Sequence, residues 1–321
     1  MESSPPVVVV GSFNVDHVWT LPSLPRAGET RIGSYRTGPG GKGFNQATAA
    51  ARAGAATAFI CALGDDSGGQ LARRLAGEDG IDLRAAQVDA PTGTAGIHVD
   101  REGRNSIVIG PGANATLGAG FVRAQAGALA HATVVLAQLE SPVDAVAAAF
   151  ELARQAGALT LLNPAPVDAE LPASLMALSD VISPNETEFC AQLQRQLGAS
   201  CDPGRLAGLD DDDLHALCRR LLPHGSVIVT LGAHGCFVSH APARRHDDGQ
   251  DAYRVAAHPA RVVDTTGAGD AFNGALAASI ALRPRQPFAR HVAFANRYAA
   301  RSTERPGAAS AMPTLGELGP G

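Results

Sequence analysis

From residue 133 onward the chain repeats one pattern, a short β-branched apolar run followed by a longer stretch of helical spacing. The runs are 133–137 (TVVLA), 158–162, 180–183, 226–231 (SVIVTL) and 260–263, and the helical stretches cover about 142–156, 186–197, 211–222, 270–283 and 287–303. Strands that alternate with helices pair in parallel through crossovers, and the helices cover the sheet. Residues 7–10 (VVVV) read as another strand of that sheet, because an apolar run without alternation has both faces buried. A further strand covers 57–66 and a helix 68–79. The pattern predicts an α/β fold built on a mostly parallel central sheet.

Two stretches break the rhythm. Residues 17–37 hold short, weakly alternating pieces cut by Pro22, Pro25, Gly28 and Gly33, and 94–110 read as a hairpin turning at Arg101–Arg104. Together they predict a second, smaller β-sheet outside a core made of 1–16, 38–93 and 111–321. At 321 residues this is a large α/β domain with a small appendage. Segments 198–209 and 241–252 read as polar loops, 307–321 as a Pro/Gly/Ala-rich tail, and Asp210–Asp213 as a helix N-terminal cap rather than a metal site.

Composition removes several function classes. With a net charge of −5 and no basic tract, nucleic acid is not an expected partner. The N-terminal MESSPPVVVV has no positive n-region and too short an apolar run for a leader or a membrane span, which points to a cytoplasmic protein. The 5 cysteines are scattered without C-x-x-C spacing and read as reduced thiols, and the 10 histidines show no zinc-site spacing.

Polar residues gather where strands end, the place where an open parallel sheet forms its ligand crevice. Asn14 and Asp16 follow the first strand, Glu140 follows 133–137, Asn163 follows 158–162, Asn185 and Glu188 follow 180–183, and Thr230, Gly232 and Gly235 follow 226–231. Two glycine turns stand before Ala-rich helices. GPGGKGFNQATAAARAG (38–54) lacks the G-K-[ST] ending of a Walker A loop. VVDTTGAGDAFNGALAA (262–278) reads as a strand, a turn and a helix N-terminus, where free N–H groups suit an anion and Asp270 stands beside it as a base. The same segment also reads as a plain glycine turn with Asp270 as N-cap.

Lys42 is the only lysine among 26 basic residues. Its survival inside GGKG argues for function, because an ammonium and a guanidinium are not interchangeable in a tight site. No Cys or His stands as a nucleophile, there is no G-x-S-x-G, and no dinucleotide fingerprint follows the first strand. Phosphate-holding turns, one lysine, carboxylates suited to Mg²⁺ through water and a base match what phosphoryl transfer needs.

These residues resemble the ribokinase family of sugar kinases (the PfkB group). GPGGKGFNQATAAARAGA (38–55) and VDTTGAGDAFNGAL (263–276) carry the resemblance, together with GSFNVDH (11–17), QLESP (138–142), LNPAP (162–166), SPNETE (183–188) and TLGAHG (230–235), in order over nearly the whole chain. The resemblance implies a ribokinase-like three-layer α/β/α domain whose small β-sheet is a lid and the contact of a homodimer. It implies ATP-dependent phosphorylation of D-ribose at O5. Asn14, Asp16, Gly41, Lys42, Gly43, Asn45 and Glu140 would hold the sugar, and Asp270 would be the general base. The N–H groups of Gly267, Ala268, Gly269 and Asp270 would form the anion hole. Asn185 and Glu188 would position phosphate and Mg²⁺, and Thr230 to Gly235, with Asn296, would line the nucleotide pocket. Asp264, Thr266, Ser302, Arg305 and Gly307 would surround K⁺, although Ala311 stands where the family carries Ser.

Rival readings are a kinase of the same fold for fructose, 2-deoxyribose or adenosine, and a sugar-binding regulator without turnover. An aromatic content of 4% argues against nucleoside stacking, and an intact Asp270 argues against a pure binder.

Overall fold

A computed structural model describes residues 6–243 and 248–319; the first residues of the leader reading and residues 244–247 of the expected 241–252 loop lie outside it. In chain order the elements are β1 (Val7–Val10), β2 (Asn14–Thr20), β3 (Ser34–Gly40), α1 (Lys42–Arg52), β4 (Thr57–Gly64), α2 (Ser67–Glu78), β5 (Asp82–Val88), β6 (Gly93–Val99), β7 (Asn105–Gly110), α3 (Ala119–Ala124), α4 (Ala126–Leu129) and β8 (Val134–Ala137). There follow α5 (Val143–Gln155), β9 (Leu159–Leu162), α6 (Ala173–Leu178), β10 (Val181–Ile182), α7 (Glu186–Leu197), α8 (Asp211–Leu221), β11 (Ser226–Thr230), β12 (Cys236–His240), β13 (Ala252–Val255), α9 (Ala268–Leu282) and α10 (Phe288–Ser302).

The strands form a nine-stranded sheet in the order β13-β12-β11-β10-β9-β8-β1-β4-β5 and a four-stranded sheet in the order β3-β2-β6-β7. In the large sheet β11 to β5 pair in parallel, and β12 and β13 add an antiparallel edge. The VVVV run shows why the sheet needs two helical layers. Val8 and Val10 join the core beneath α3 to α8, with Phe150, Leu175, Phe189 and Leu214. Val7 and Val9 join the opposite core, with Phe44 of α1, Phe272 and Leu276 of α9, and Tyr298 of α10. Successive strand side chains point to opposite faces, so a run apolar at every position must be covered twice.

Helix α9 is buried over most of its length, and it crosses α1 so closely that a Cβ on Gly274 would stand 2.4 Å from the Gln46 carbonyl oxygen. The crossing brings the first turn of α9 against that of α1, at the carboxyl end of the sheet. The small sheet rises beside this edge, because β2 starts at Asn14 and β3 ends at Gly40, just before α1. These strands reach about three residues further toward the core than the 17–37 reading. The hairpin of β6 and β7 turns at 100–104 as expected.

Several expectations are corrected. Residues 260–263 form no strand: Val262 and Val263 are 61% and 58% exposed, and the Val263 and Asp264 N–H groups bond the Thr303 carbonyl instead. The sheet ends on β12 and β13, whose second strand starts inside the stretch read as a loop. Edge strand β5 and the short helices α3, α4 and α6 were not legible. The expected tail is docked through 319, with Ala308, Ala309, Ala311, Met312 and Leu318 buried and Thr314 and Glu317 forming a capping box. Cys190 and Cys201 are bonded as a disulfide, Cα atoms 5.1 Å apart, where reduced thiols were expected; the chain after α7 folds back onto that helix. Cys61, Cys218 and Cys236 are free and buried. Asp210 caps α8 by accepting the Asp212 N–H, as read. Among the described residues, no helix is long and apolar enough to cross a membrane.

Candidate active site

The N-terminus of α9 anchors the site. Gly267 is its N-cap, in the left-handed region at φ 73°, which an L side chain adopts only at a cost. Asp270 is therefore not the cap. Its carboxylate turns sideways to α1, where Oδ2 accepts the Asn45 side-chain amide at 2.9 Å and Oδ1 accepts that of Gln46 at 2.8 Å. The N–H groups of Gly267, Gly269 and Asp270 have no partner among the described residues, whereas that of Ala268 donates to the Thr265 carbonyl at 3.1 Å. Unpaired N–H groups at the positive end of a helix dipole form an anion-binding site.

A cavity of about 160 Å³ opens in front of these groups. Lys42, Asn185, Glu188, Thr230, Asn163 and Asn273 line it together with residues 267–270. Burial pushes the Asp270 carboxyl above its ordinary pKa, against the pull of Lys42, Gln46 and Asn45. Burial disfavours the Lys42 ammonium, but Asp270, Glu140 and Glu188 outweigh it and hold its pKa above the usual value. Lys42 makes no ion pair within 4 Å among the described residues, so its ammonium stays available to a ligand.

On the small-sheet side, Glu140 Oε2 accepts the Ser12 hydroxyl at 2.5 Å and the Lys42 backbone N–H at 3.0 Å, which fixes the Gly41–Gly43 turn. Asn14 on β2 is held by Asn114, whose amide donates to Asn14 Oδ1 at 2.8 Å. Asp16, also on β2, has its pKa raised to about 6 by burial and by the Glu140 and Asp270 charges, against the pull of Arg36. Asn45 Oδ1 is buried without a partner. A buried acceptor left unsatisfied is costly, and a hydroxyl donor from a ligand would satisfy it.

Asn185 and Glu188 form the capping box of α7: Asn185 Oδ1 accepts the Glu188 N–H at 2.8 Å and Glu188 Oε2 accepts the Asn185 N–H at 2.9 Å. Their structural role is thus explicit, yet Glu188 Oε1 remains for a ligand, and burial raises the pKa of this carboxyl. Asp264 accepts from Thr266 N–H (2.9 Å) and hydroxyl (2.6 Å) and from Gly307 N–H (2.8 Å), which lower its pKa against the effect of burial. The Ser302 hydroxyl donates to the Ala299 carbonyl, and Arg305 pairs with Glu317, so these two side chains face away. Thr230 reaches the cavity; Gly232, Gly235 and Asn296 do not line it, and Asn296 instead donates to the Val255 and Ala256 carbonyls. No group of three or more His, Cys, Asp or Glu residues able to hold a metal occurs among the described residues.

Three participants escaped the sequence reading. Gln46 is the hub of an amide chain, donating to Asp270 and to Asn163 Oδ1 (3.1 Å) and accepting from Gln138 at 2.5 Å. Its signal was its spacing: Lys42, Asn45 and Gln46 stand at i, i+3 and i+4 of an Ala-rich buried helix. Asn114 comes from a segment with no motif. Arg36 lies opposite Val18 in the β2–β3 register, on the same face as Asp16, and its charge reaches both Asp16 and Asp264.

Residues 5–315 match the family model described as pfkB family carbohydrate kinase. A ribokinase of Haemophilus influenzae is 36% identical, covering 97% of this chain and 96% of its own, and one of Mus musculus is 35% identical, covering 99% and 94%. Among solved structures, Arabidopsis thaliana ribokinase complexed with ribose and ATP superposes with a TM-score of 0.84 at 29% identity, covering 98% of this chain and 97% of that one.

Proposed function

The chain belongs to the pfkB family of carbohydrate kinases, and from that premise we propose that it transfers the γ-phosphoryl group of ATP to O5 of D-ribose, giving D-ribose 5-phosphate and ADP. The observation that carries the mechanism is the Asp270 carboxylate, buried at the N-terminus of α9, aimed by two amides and set beside free N–H groups. Asp270 takes the proton of the acceptor hydroxyl as that oxygen attacks the γ-phosphorus and ADP departs. The N–H groups of Gly267, Gly269 and Asp270, among residues 267–270, stabilise the charge of the transferred group.

Asp16, Asn45 Oδ1 and the free oxygen of Glu140 accept the sugar hydroxyls and the Asn14 side-chain amide donates to one, with Gly41, Lys42 and Gly43 beside them. Thr230 meets the nucleotide at the cavity, Gly232 and Gly235 would extend that surface beyond it, and Asn296 would act through the Val255 and Ala256 main chain that it holds. Glu188 offers one carboxylate oxygen, which fits a Mg²⁺ held mainly by phosphate oxygens and water, with Asn185 fixing that carboxylate. Mg²⁺ would neutralise charge on the phosphates when bound. For K⁺, the side chains of Asp264, Thr266, Ser302 and Arg305 are already engaged, which leaves the main-chain carbonyls of this loop and of Gly307 as donors. The small sheet exposes Ile107, Val108 and Ile109, apolar area suited to a homodimer contact.

The test is ADP release with ribose, 2-deoxyribose, fructose and adenosine, each with and without K⁺. Ribose is expected to give the highest kcat/KM, and preference for a hexose would overturn the assignment. Asp270→Asn is expected to lower kcat by about 10²–10⁴-fold while ribose still binds by calorimetry; near-normal turnover would remove Asp270 as the base.

A further inference from the structure

A second cavity, of about 540 Å³, opens at the opposite end of α9. Ser279 and Arg283, both in its lining, follow Asp270 at a rise of 1.5 Å per residue, so the cavity lies about 14 to 20 Å from Asp270 along the helix axis. Arg283 from the α9–α10 turn, Arg290, Phe294 and Arg297 from α10, and Leu315 and Leu318 from the C-terminal segment line it. Arg290, Phe294 and Arg297 are spaced i, i+4 and i+7, and so share one helix face.

Among the described residues, no carboxylate pairs with these guanidinium groups. Arg283 lies over the Phe294 ring, its guanidinium carbon 5.6 Å from the centroid. Arg297 donates to the Leu318 and Gly319 carbonyls at 2.5 and 2.6 Å, which ties the C-terminal segment down as the cavity's far wall. Arg290 is exposed, and its side chain has neither hydrogen bond nor ion pair among the described residues. Among the described residues, no Asp or Glu lines the cavity. Elsewhere in this chain of net charge −5, arginines such as Arg52, Arg84 and Arg254 are paired with Asp79, Asp82 and Asp211. Clustered forks without carboxylates match a phosphate dianion, which guanidinium groups grip bidentately. The Leu315 and Leu318 wall and the volume suit a small organic body.

We propose that this cavity is a second ligand site, taking a small organic phosphate whose phosphoryl group meets Arg283 and Arg290 and whose apolar part rests on Leu315 and Leu318. It is separate from the phosphoryl-transfer site and does not depend on which sugar that site accepts. Calorimetric titration of the full chain with phenyl phosphate tests it, with inorganic phosphate and phenol as the two halves of the probe. Phenyl phosphate is expected to bind more tightly than either half. Arg290→Gln, at an exposed position, should weaken it at least about tenfold, the scale of one charge-assisted hydrogen bond, and leave phosphotransfer unchanged. Lys42→Met, at the other site, should leave phenyl phosphate binding unchanged. Absence of binding to the wild-type chain would overturn the proposal. So would unaltered affinity in Arg290→Gln, or loss of binding in Lys42→Met with retention in Arg290→Gln.

Discussion

Replacing Asp16 by Asn is expected to stabilise the fold above pH 6 while damaging sugar binding. Burial and the charges of Glu140 and Asp270 raise this carboxyl from 3.8 to about 6, with Arg36 as the opposing influence. Each pH unit of that interval is worth about 1.4 kcal/mol, so ionised Asp16 costs the folded state about 3 kcal/mol. The sign follows from linkage: between 3.8 and about 6 the unfolded chain has released the proton and the folded chain still holds it, so stability falls as pH rises through that window. Asn has nothing to release. The stability difference between Asp16→Asn and wild type should therefore grow by about 2 kcal/mol between pH 4.5 and pH 8, measured by urea unfolding. In the same preparations the KM for ribose should rise at least about tenfold, since a hydrogen bond to a charged group contributes about 1.5–3 kcal/mol. A pH-independent stability difference would refute the account of Asp16 as a strained, buried carboxylate.

The other expectations concern the crossing of α1 and α9. Lys42→Arg keeps the charge but forces a planar fork into a cavity of about 160 Å³; kcat/KM should fall about a hundredfold, and wild-type values would show that charge alone suffices. Gln46→Ala removes a hydrogen bond that lowers the Asp270 pKa, so the acid limb of the kcat/KM–pH profile should move to higher pH; an unmoved limb would mean that another group titrates there. Gly274→Ala gains about 1 kcal/mol of helix propensity but places a methyl group 2.4 Å from the Gln46 carbonyl oxygen and 2.5 Å from Ala49 Cβ. Overpacking against backbone costs about 1–3 kcal/mol, so the variant should melt lower and lose turnover; a higher melting temperature would contradict the tight crossing.

Much of the fold was legible because burial leaves a local trace. An unbroken VVVV requires cover on two faces, and helical spacing after each apolar run places the covering helices nearly residue for residue. The segments that misled were those whose local trace was ambiguous. Val262 and Val263 are β-branched but solvent-exposed, β13 is half-buried and short, and β5 is an edge strand of mixed polarity. The cysteine pair was invisible for the same reason: spacing does not reveal that the chain after α7 turns back on that helix.

For the site, the sequence by itself determined which residue types stand at strand ends and glycine turns, and that was enough to single out Asp270 and Lys42. Only the tertiary structure decided what each side chain does with its hydrogen-bonding capacity. It turned Asp270 away from the cap position toward Asn45 and Gln46, spent the Ala268 N–H on Thr265, and committed Asn185 to α7. The bond between Gln46 and Asp270 joins residues 224 apart in the chain, and nothing in the local pattern of either one encodes its partner. Such a contact depends on the packing of α1 against α9, which a one-dimensional pattern of polarity does not contain.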